Sequence, residues 1–252
     1  PLIPHLLTAE ELDLDIIFSY INPTMLYSKH LGLKGRLEEK LAASDPKAVE
    51  LRNTVREIQD RVISQQLLRP RGVYRFFRAV GEGDDLVLLD PAGRREEARF
   101  TFGRQQVPPY RCISDFVRPR ESGQLDSIAL FLVTAGHGVS EKAGEWKDEG
   151  RYLWSHVLQA LALETAEALA EWLHGRLRQL WGIADPADMS RDELFKARYR
   201  GLRVSFGYPA CPRLEDQELL FHLLDGEAAT GVALTEGYMM DPEASVSALV
   251  FH

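Results

Sequence analysis

The sequence predicts a single α+β domain, a mainly antiparallel sheet flanked by helices, one of them a long helix over about 141–180. Three observations lead there. Strand-like runs cluster between residues 73 and 134, separated by turn residues, and do not alternate with helices as βαβ units do. Helical periodicity fills the blocks on either side. The 252 residues are 45% hydrophobic and 27% charged, with no repeat, low-complexity segment or long linker, which suits one sizeable core.

The elements follow in order. Thr8-Ala-Glu-Glu11 is a capping box that opens a short helix carrying Leu12, Ile16 and Ile17. Asn22-Pro23 reads as N-cap and first helical position of the next helix, through Leu26 and Tyr27. Asp45-Pro46 repeats that signal before a long helix with Leu51, Val55, Ile58 and Val62 on one stripe, stopped by Arg69-Pro-Arg-Gly72. Val73–Val80 and Leu86–Leu89 flank Gly81-Glu-Gly-Asp-Asp85 as a hairpin, and Ala98–Phe102 alternates as a further strand. Ser127–Thr134 is continuously apolar, as a buried central strand is. Leu153, Val157, Leu161, Leu169, Leu173, Leu177 and Leu180 trace the stripe of the helical block at 141–180. Ser190-Arg-Asp-Glu193 is a second capping box, opening a helix to about Tyr199, and Leu219–Leu224 reads as a short helix before a strand-like tail.

Composition narrows the functional classes. A formal charge of −8 argues against non-specific binding to nucleic acid or to an anionic membrane. No run of 18 apolar residues spans a bilayer, and no basic segment precedes an apolar one as in a secretory signal. Two cysteines, Cys112 and Cys211, fit a reducing, cytoplasmic setting. The first residue is Pro1 and the last, His252, closes an apolar strand-like run, so a piece of a longer polypeptide is expected. Residues 69–120 hold eleven Arg against seven acids. The plainer reading is solvated Arg on the outer face of the strands; the alternative is a docking patch for an acidic partner, with Arg75 and Arg78 in it.

Chemistry concentrates in Arg203-Val-Ser-Phe-Gly207-Tyr208-Pro-Ala-Cys211-Pro212. Two prolines around Ala-Cys force an extended, rigid loop, and Gly207 permits a turn or a close approach to a ligand. Arg203 offers a planar fork suited to a carboxylate, and Tyr208 a ring face and a hydroxyl. The loop suits a small acidic molecule with a flat ring, or is simply a rigid surface loop. Glu164, Glu167, Glu171 and His174 share one helix face. Glu171-Trp-Leu-His174 has the form of a di-iron motif but lacks the second copy such sites need, so a solvated acidic face is expected and no metal site. If that face borders the loop, Glu167 and Arg203 grip the ammonium and carboxylate of an amino acid. No G-x-S-x-G, Walker or H-E-x-x-H motif is present. Gly81-Glu-Gly83 and Gly136-His-Gly138 read as turns, Cys112 as a core residue, and Cys211 as structural, with no base beside it.

The loop resembles the Arg-x-x-x-Gly-Tyr-x-Ala-Cys-Pro signature of the C-terminal activation domain of cobalamin-dependent methionine synthase. Tyr199-Arg-Gly-Leu-Arg203, Leu234-Thr-Glu236, Pro242-Glu-Ala-Ser-Val-Ser247, Arg69-Pro-Arg-Gly-Val, Asp115-Phe-Val and Ala170-Glu-Trp-Leu-His174 extend the likeness from about Ile21 to the last residue. It implies binding of S-adenosylmethionine and presentation of its methyl group to cobalamin carried by a neighbouring domain of the same polypeptide. The reaction is the reductive remethylation of inactive cob(II)alamin, with an electron from flavodoxin or a flavoprotein reductase. It implies Arg203 on the methionyl carboxylate, Glu167 on the ammonium, the backbone at Ser205 and Gly207 on the adenine, and Tyr208 in the pocket wall. Asn22 stands where some members carry an Asp that contacts the amino group, and Ser205 where some carry Ala. No catalytic acid or base is implied, because the donor is already activated and positioning is what the domain supplies. A Tyr-rich strand segment that the family carries beyond Ser-Val-Ser is absent, which predicts a C-terminal truncation with weakened binding and an open strand edge. Two other classes remain: a sensing or scaffold module that holds the ligand without methyl transfer, and an independent methyltransferase, against which the missing glycine-rich loop speaks.

Overall fold

The computed structural model describes residues 2–252. In chain order the elements are β1 (His5–Leu6), α1 (Leu14–Phe18), a π-helical turn (Thr24–His30), α2 (Leu37–Ala42), α3 (Pro46–Gln65), β2 (Arg71–Glu82), β3 (Asp85–Leu89) and β4 (Glu96–Thr101). There follow β5 (Asp126–Thr134), α4 (Val139–Asp148), α5 (Tyr152–Leu180), α6 (Arg191–Phe195), β6 (Leu202–Val204), α7 (Asp216–Leu224), α8 (Gly226–Thr230), β7 (Ala233–Leu234), β8 (Met240–Asp241) and β9 (Ser245–Phe251).

The main sheet runs β4-β3-β2-β5-β9-β6, with β1 added beside the start of β2 and every pairing antiparallel. Successive residues of β5 point to opposite faces. Ala129, Phe131 and Val133 enter a core shared with α3, α4 and α5, whereas Ile128, Leu130 and Leu132 enter a second core with β3, β4 and α7. Both faces of the strand are therefore covered, which is why its sequence is apolar without alternation. In α3, Leu51, Val55, Ile58 and Val62 are all buried, and Asp45 Oδ1 accepts from Ala48 N–H at 3.1 Å as N-cap. The sheet is thus a wall, with α5 lying along it to carry the functional face.

Local signals were obeyed with differences. The Thr8 capping box closes, with Thr8 N–H donating to Glu11 Oε2 at 2.9 Å, but it makes a turn only. The helix starts later because Asp13 caps it, accepting from Asp15 N–H. Asn22 caps as expected, its Oδ1 accepting from Thr24 N–H at 3.0 Å, but the turn that follows is π-helical, with Leu31 N–H reaching Leu26 O. The helical block at 141–180 is two helices. Gly150, at φ +78°, ends α4 with a Schellman motif: Arg151 N–H donates to Trp146 O at 2.7 Å and Gly150 N–H to Lys147 O at 3.0 Å. The Ser190 box also closes, but α6 stops at Phe195, short of Tyr199.

Four of the eleven arginines of 69–120 pair with carboxylates inside the fold, whereas Arg78 lies exposed on β2. Arg99 pairs with Glu82, Asp85 and Glu96, Arg104 with Asp84 and Asp115, and Arg120 with Glu82. Arg75 lies over the Phe77 ring and pairs with Glu97 at 2.7 Å, so it holds strands together and is not a free docking charge. β9 is paired with β5 along one side, and on its other side β6 covers only Leu249–Phe251. Among the described residues no helix is long and apolar enough to cross a membrane.

Candidate functional site

A cleft of about 460 Å³ opens between α5, the segment around residues 20–30, β6 and the start of β9. Its floor is the acidic face of α5, where spacings of three and four residues align Glu164, Glu167 and Glu171. The expected solvated face is mostly enclosed: Glu164 and His174 are buried and the Glu171 side chain is only 12% exposed, while Glu167 remains 58% exposed. Enclosure follows from counter-charge brought by other elements. Arg203, 19% exposed, comes from β6 and sets Nη2 3.3 Å from Glu171 Oε2 and 3.9 Å from Glu167 Oε2. His30, at the end of the π-helical turn, sets Nε2 2.9 Å from Glu164 Oε1.

Burial dominates the electrostatics of the site. Burial raises the Glu171 carboxyl above its usual range, with Arg203 and then Arg178 opposing. Burial raises Glu164 likewise, against the hydrogen bond from His30. Arg203 Nη1 and Glu171 Oε1 are both buried without a protein partner. A buried guanidinium N–H and a buried carboxylate oxygen each cost free energy when unpaired. Behind them on α5, burial pushes neutral His174 down to about 2, helped by Arg178 and Arg203. Fully buried Arg178 pairs with Asp185 and lies 3.9 Å over the Tyr199 ring, which itself stands edge-on to His174.

The signature loop is a closed turn. Gly207 has φ +88°, its N–H donates to Cys211 O at 2.9 Å, and Cys211 N–H donates to Tyr208 O at 2.9 Å. A Cβ on Gly207 would sit 3.0 Å from Leu214. The Cys211 thiol donates to Ser205 O at 2.8 Å and burial pushes it up to about 12, which makes it a strut and no nucleophile. Tyr208, 64% exposed, stands at the rim.

Of the six residues anticipated, Asn22, Glu167, Arg203 and Tyr208 converge on the cleft. Ser205 lines a smaller adjoining pocket of about 180 Å³ that shares Glu167 and Tyr208 with it. Gly207 lines neither and acts through the turn. Sequence reading missed Tyr20, His30 and Glu243. The pairing of His30 with Glu164 spans 134 positions and depends on a π-helical turn, so no local signal announces it. Tyr20 carries Arg191 over its ring at 3.5 Å, and no local pattern links those two residues. Among the described residues no three His, Cys, Asp or Glu side chains converge as a metal ion requires.

The domain is thus an antiparallel sheet flanked by helices, with a cleft that brings one guanidinium and several carboxylates together. Residues 13–252 match the family described as the vitamin B12 dependent methionine synthase activation domain, and the chain belongs to that family. It is 34% identical over 241 residues to a methionine synthase of Mycobacterium tuberculosis, covering 90% of this chain and 20% of that protein. It is 37% identical over 192 residues to a methionine synthase of Mycobacterium leprae, covering 71% of this chain and 16% of that protein. The chain thus spans a fifth or less of the length of these curated relatives. A crystal structure of the MetH reactivation domain bound to AdoHcy superposes with a TM-score of 0.92 at 31% identity, covering 99% of this chain and 78% of that one.

Proposed function

We propose that the cleft binds S-adenosylmethionine and that the chain works as one module of a multidomain methionine synthase, presenting the donor's methyl group for reductive remethylation of cobalamin. The observation that carries this is the orphaned pair in the cleft wall, Arg203 Nη1 and Glu171 Oε1. An α-amino acid end supplies a carboxylate for the first and an ammonium for the second. Glu167 lies within reach of the same ammonium, and Asn22 contributes beside it, although its oxygen already serves Thr24. The adjoining pocket beside Ser205 and Tyr208 takes the adenine, whose contacts are to backbone shaped by Gly207. The AdoHcy bound to the structural relative is the demethylated form of the same molecule.

Cobalamin, held by a neighbouring domain, supplies the reduced cobalt that accepts the methyl group. This chain's own residues anchor, orient and screen the donor, and need perform no proton transfer. The electron comes from flavodoxin or a flavoprotein reductase, and the setting is cytoplasmic. Calorimetric titration of S-adenosylmethionine into the protein and into Arg203→Ala tests the reading. Saturable binding that weakens by about tenfold or more in the variant is expected, since a charge-assisted bond contributes about 1.5–3 kcal/mol. Absence of binding to the unaltered protein overturns it. Methyl transfer to an added cobalamin domain under reducing conditions separates the activation role from a sensing or scaffold module, which binds without transfer.

A further inference from the structure

We propose that a second cavity, separate from the cleft, binds a small organic phosphomonoester, its phosphate group between Arg176 and Arg191 and its apolar remainder against Trp172. The cavity, of about 250 Å³, opens between the C-terminal turns of α5, the segment 185–194 and Tyr20. Tyr20 is the one residue it shares with the cleft, and the proposed function uses none of the others.

The sign of its charge is opposite to that of the cleft. One carboxylate lines it, Asp185, against the guanidinium groups of Arg176 and Arg191. Asp185 is already engaged: Oδ1 accepts from buried Arg178 Nε at 2.8 Å and Oδ2 accepts from Arg178 Nη2, a pair without net charge. The acids of neighbouring α6 are engaged as well, Asp192 with Lys196 and Glu193 with its own capping box. Among the described residues neither Arg176 nor Arg191 has a carboxylate partner. Arg176 reaches Gln179 Oε1 at 3.4 Å, and Arg191 donates to Ser19 Oγ at 3.2 Å. Two positive charges therefore remain uncompensated, and a phosphomonoester carries about two negative ones near neutral pH. The planar fork of a guanidinium matches the spacing of phosphate oxygens.

Three features prepare the cavity for such a ligand. The Arg191 guanidinium lies 3.5 Å over the Tyr20 ring, so its head is held in place before anything binds and less freedom is lost on binding. Gly175 forms part of the floor in the interior of α5, where glycine weakens a helix. Packing does not demand a glycine there, since a Cβ would stand 3.6 Å from Arg178 Nη2 and 3.9 Å from Asp185 Oδ2, ordinary contact distances. What the glycine provides is depth beside the two arginines. Trp172, Met189 and Leu194 supply an apolar wall, and the volume leaves space beyond a bare phosphate ion, so the ligand carries a flat or apolar group on its phosphate.

The test is titration of inorganic phosphate and of phenyl phosphate, followed by phosphorus NMR, into the unaltered protein, Arg176→Gln, Arg191→Gln and Arg198→Gln, with chloride holding the ionic strength constant. The unaltered protein is expected to bind both probes saturably, phenyl phosphate about threefold or more tightly than inorganic phosphate through the ring against Trp172. Arg176→Gln and Arg191→Gln are each expected to weaken phenyl phosphate by about tenfold or more. Arg198, exposed and outside the cavity, is the control, and Arg198→Gln is expected to stay within about twofold. Arg176 and Arg191 are exposed, so their variants are expected to keep the circular dichroism of the unaltered protein, which separates lost binding from lost fold. Absence of saturable binding, no preference for phenyl phosphate, an affinity unchanged in Arg176→Gln or Arg191→Gln, or an equal loss in Arg198→Gln overturns the inference. None of these outcomes bears on the binding of S-adenosylmethionine in the cleft.

Discussion

At the scale of single residues, the site is organised by what lies behind it. His174 sits one turn beyond Glu171 on α5, fully buried, with neither ring nitrogen hydrogen-bonded within the protein. It is held neutral because desolvation, then Arg178 and Arg203, disfavour a third positive charge there, bringing it from 6.5 to about 2. The folded chain therefore refuses a proton that the unfolded chain accepts. Its contribution is fully present above about pH 6.5 and is lost as pH falls below that value, by at most about 1.4 kcal/mol per pH unit. Glu164 and Glu171, raised by burial, work in the opposite direction, so the imidazole must be isolated by substitution. His174→Leu is expected to leave stability near pH 7 unchanged or higher, because it deletes two unpaired buried nitrogens, and to flatten the loss between pH 6.5 and 4. Urea unfolding across that range checks this; parallel pH curves for the two proteins would falsify it.

At the scale of elements, glycine position decides where one helix becomes two. Gly144 and Gly150 both have open space where a Cβ would go, but Gly150 has φ +78° and Gly144 lies inside α4. Gly144→Ala is expected to stabilise by about 0.5–1 kcal/mol through helix propensity. Gly150→Ala is expected to cost about 1–2 kcal/mol, because an L-residue resists the left-handed turn on which the Schellman bonds depend. Opposite shifts in chemical-denaturation midpoint are the readout, and equal shifts would place the break elsewhere. The same contrast shows what was legible from the chain. Stop and start signals that act within four residues, such as Asp45-Pro46 and the Ser190 box, predict elements well because their partners are close in sequence. Gly150 gives no stop signal in the sequence because apolar spacing continues on both sides of it. The three residues of β6 carry no period of their own and become a strand only through β9. In the site, the Arg203–Tyr208 loop was readable because proline and glycine act locally. The enclosure of the acidic face was not, since it depends on Arg203 and His30 arriving from distant segments.

At the scale of the whole molecule, the question is whether the two cores on either side of the sheet fold as one unit. The cleft draws on both: its floor is α5, which belongs to the first core, and Arg203 lies on β6, whose Val204 belongs to the second. If the cores melted separately, Arg203 could lose its register against Glu171 while α5 remained folded. The sheet argues against that, since β5 and β9 send alternate residues into each core and cannot be half formed. All four tryptophans pack on the helical side, with Trp146 in that core and Trp154, Trp172 and Trp181 against it. Their fluorescence therefore watches one face only. Leu130 is buried on the other face, so Leu130→Ala damages the core that the tryptophans do not see. The truncation is expected to cost about 2–5 kcal/mol by lost transfer energy and residual cavity. In a single cooperative unit that loss must appear in full in the tryptophan transition and coincide with the loss of far-ultraviolet circular dichroism. A fluorescence midpoint that stayed fixed while the dichroism shifted would mean that the sheet's two faces are separable, and that the geometry between Arg203 and Glu171 has to be held by the ligand instead of by the fold.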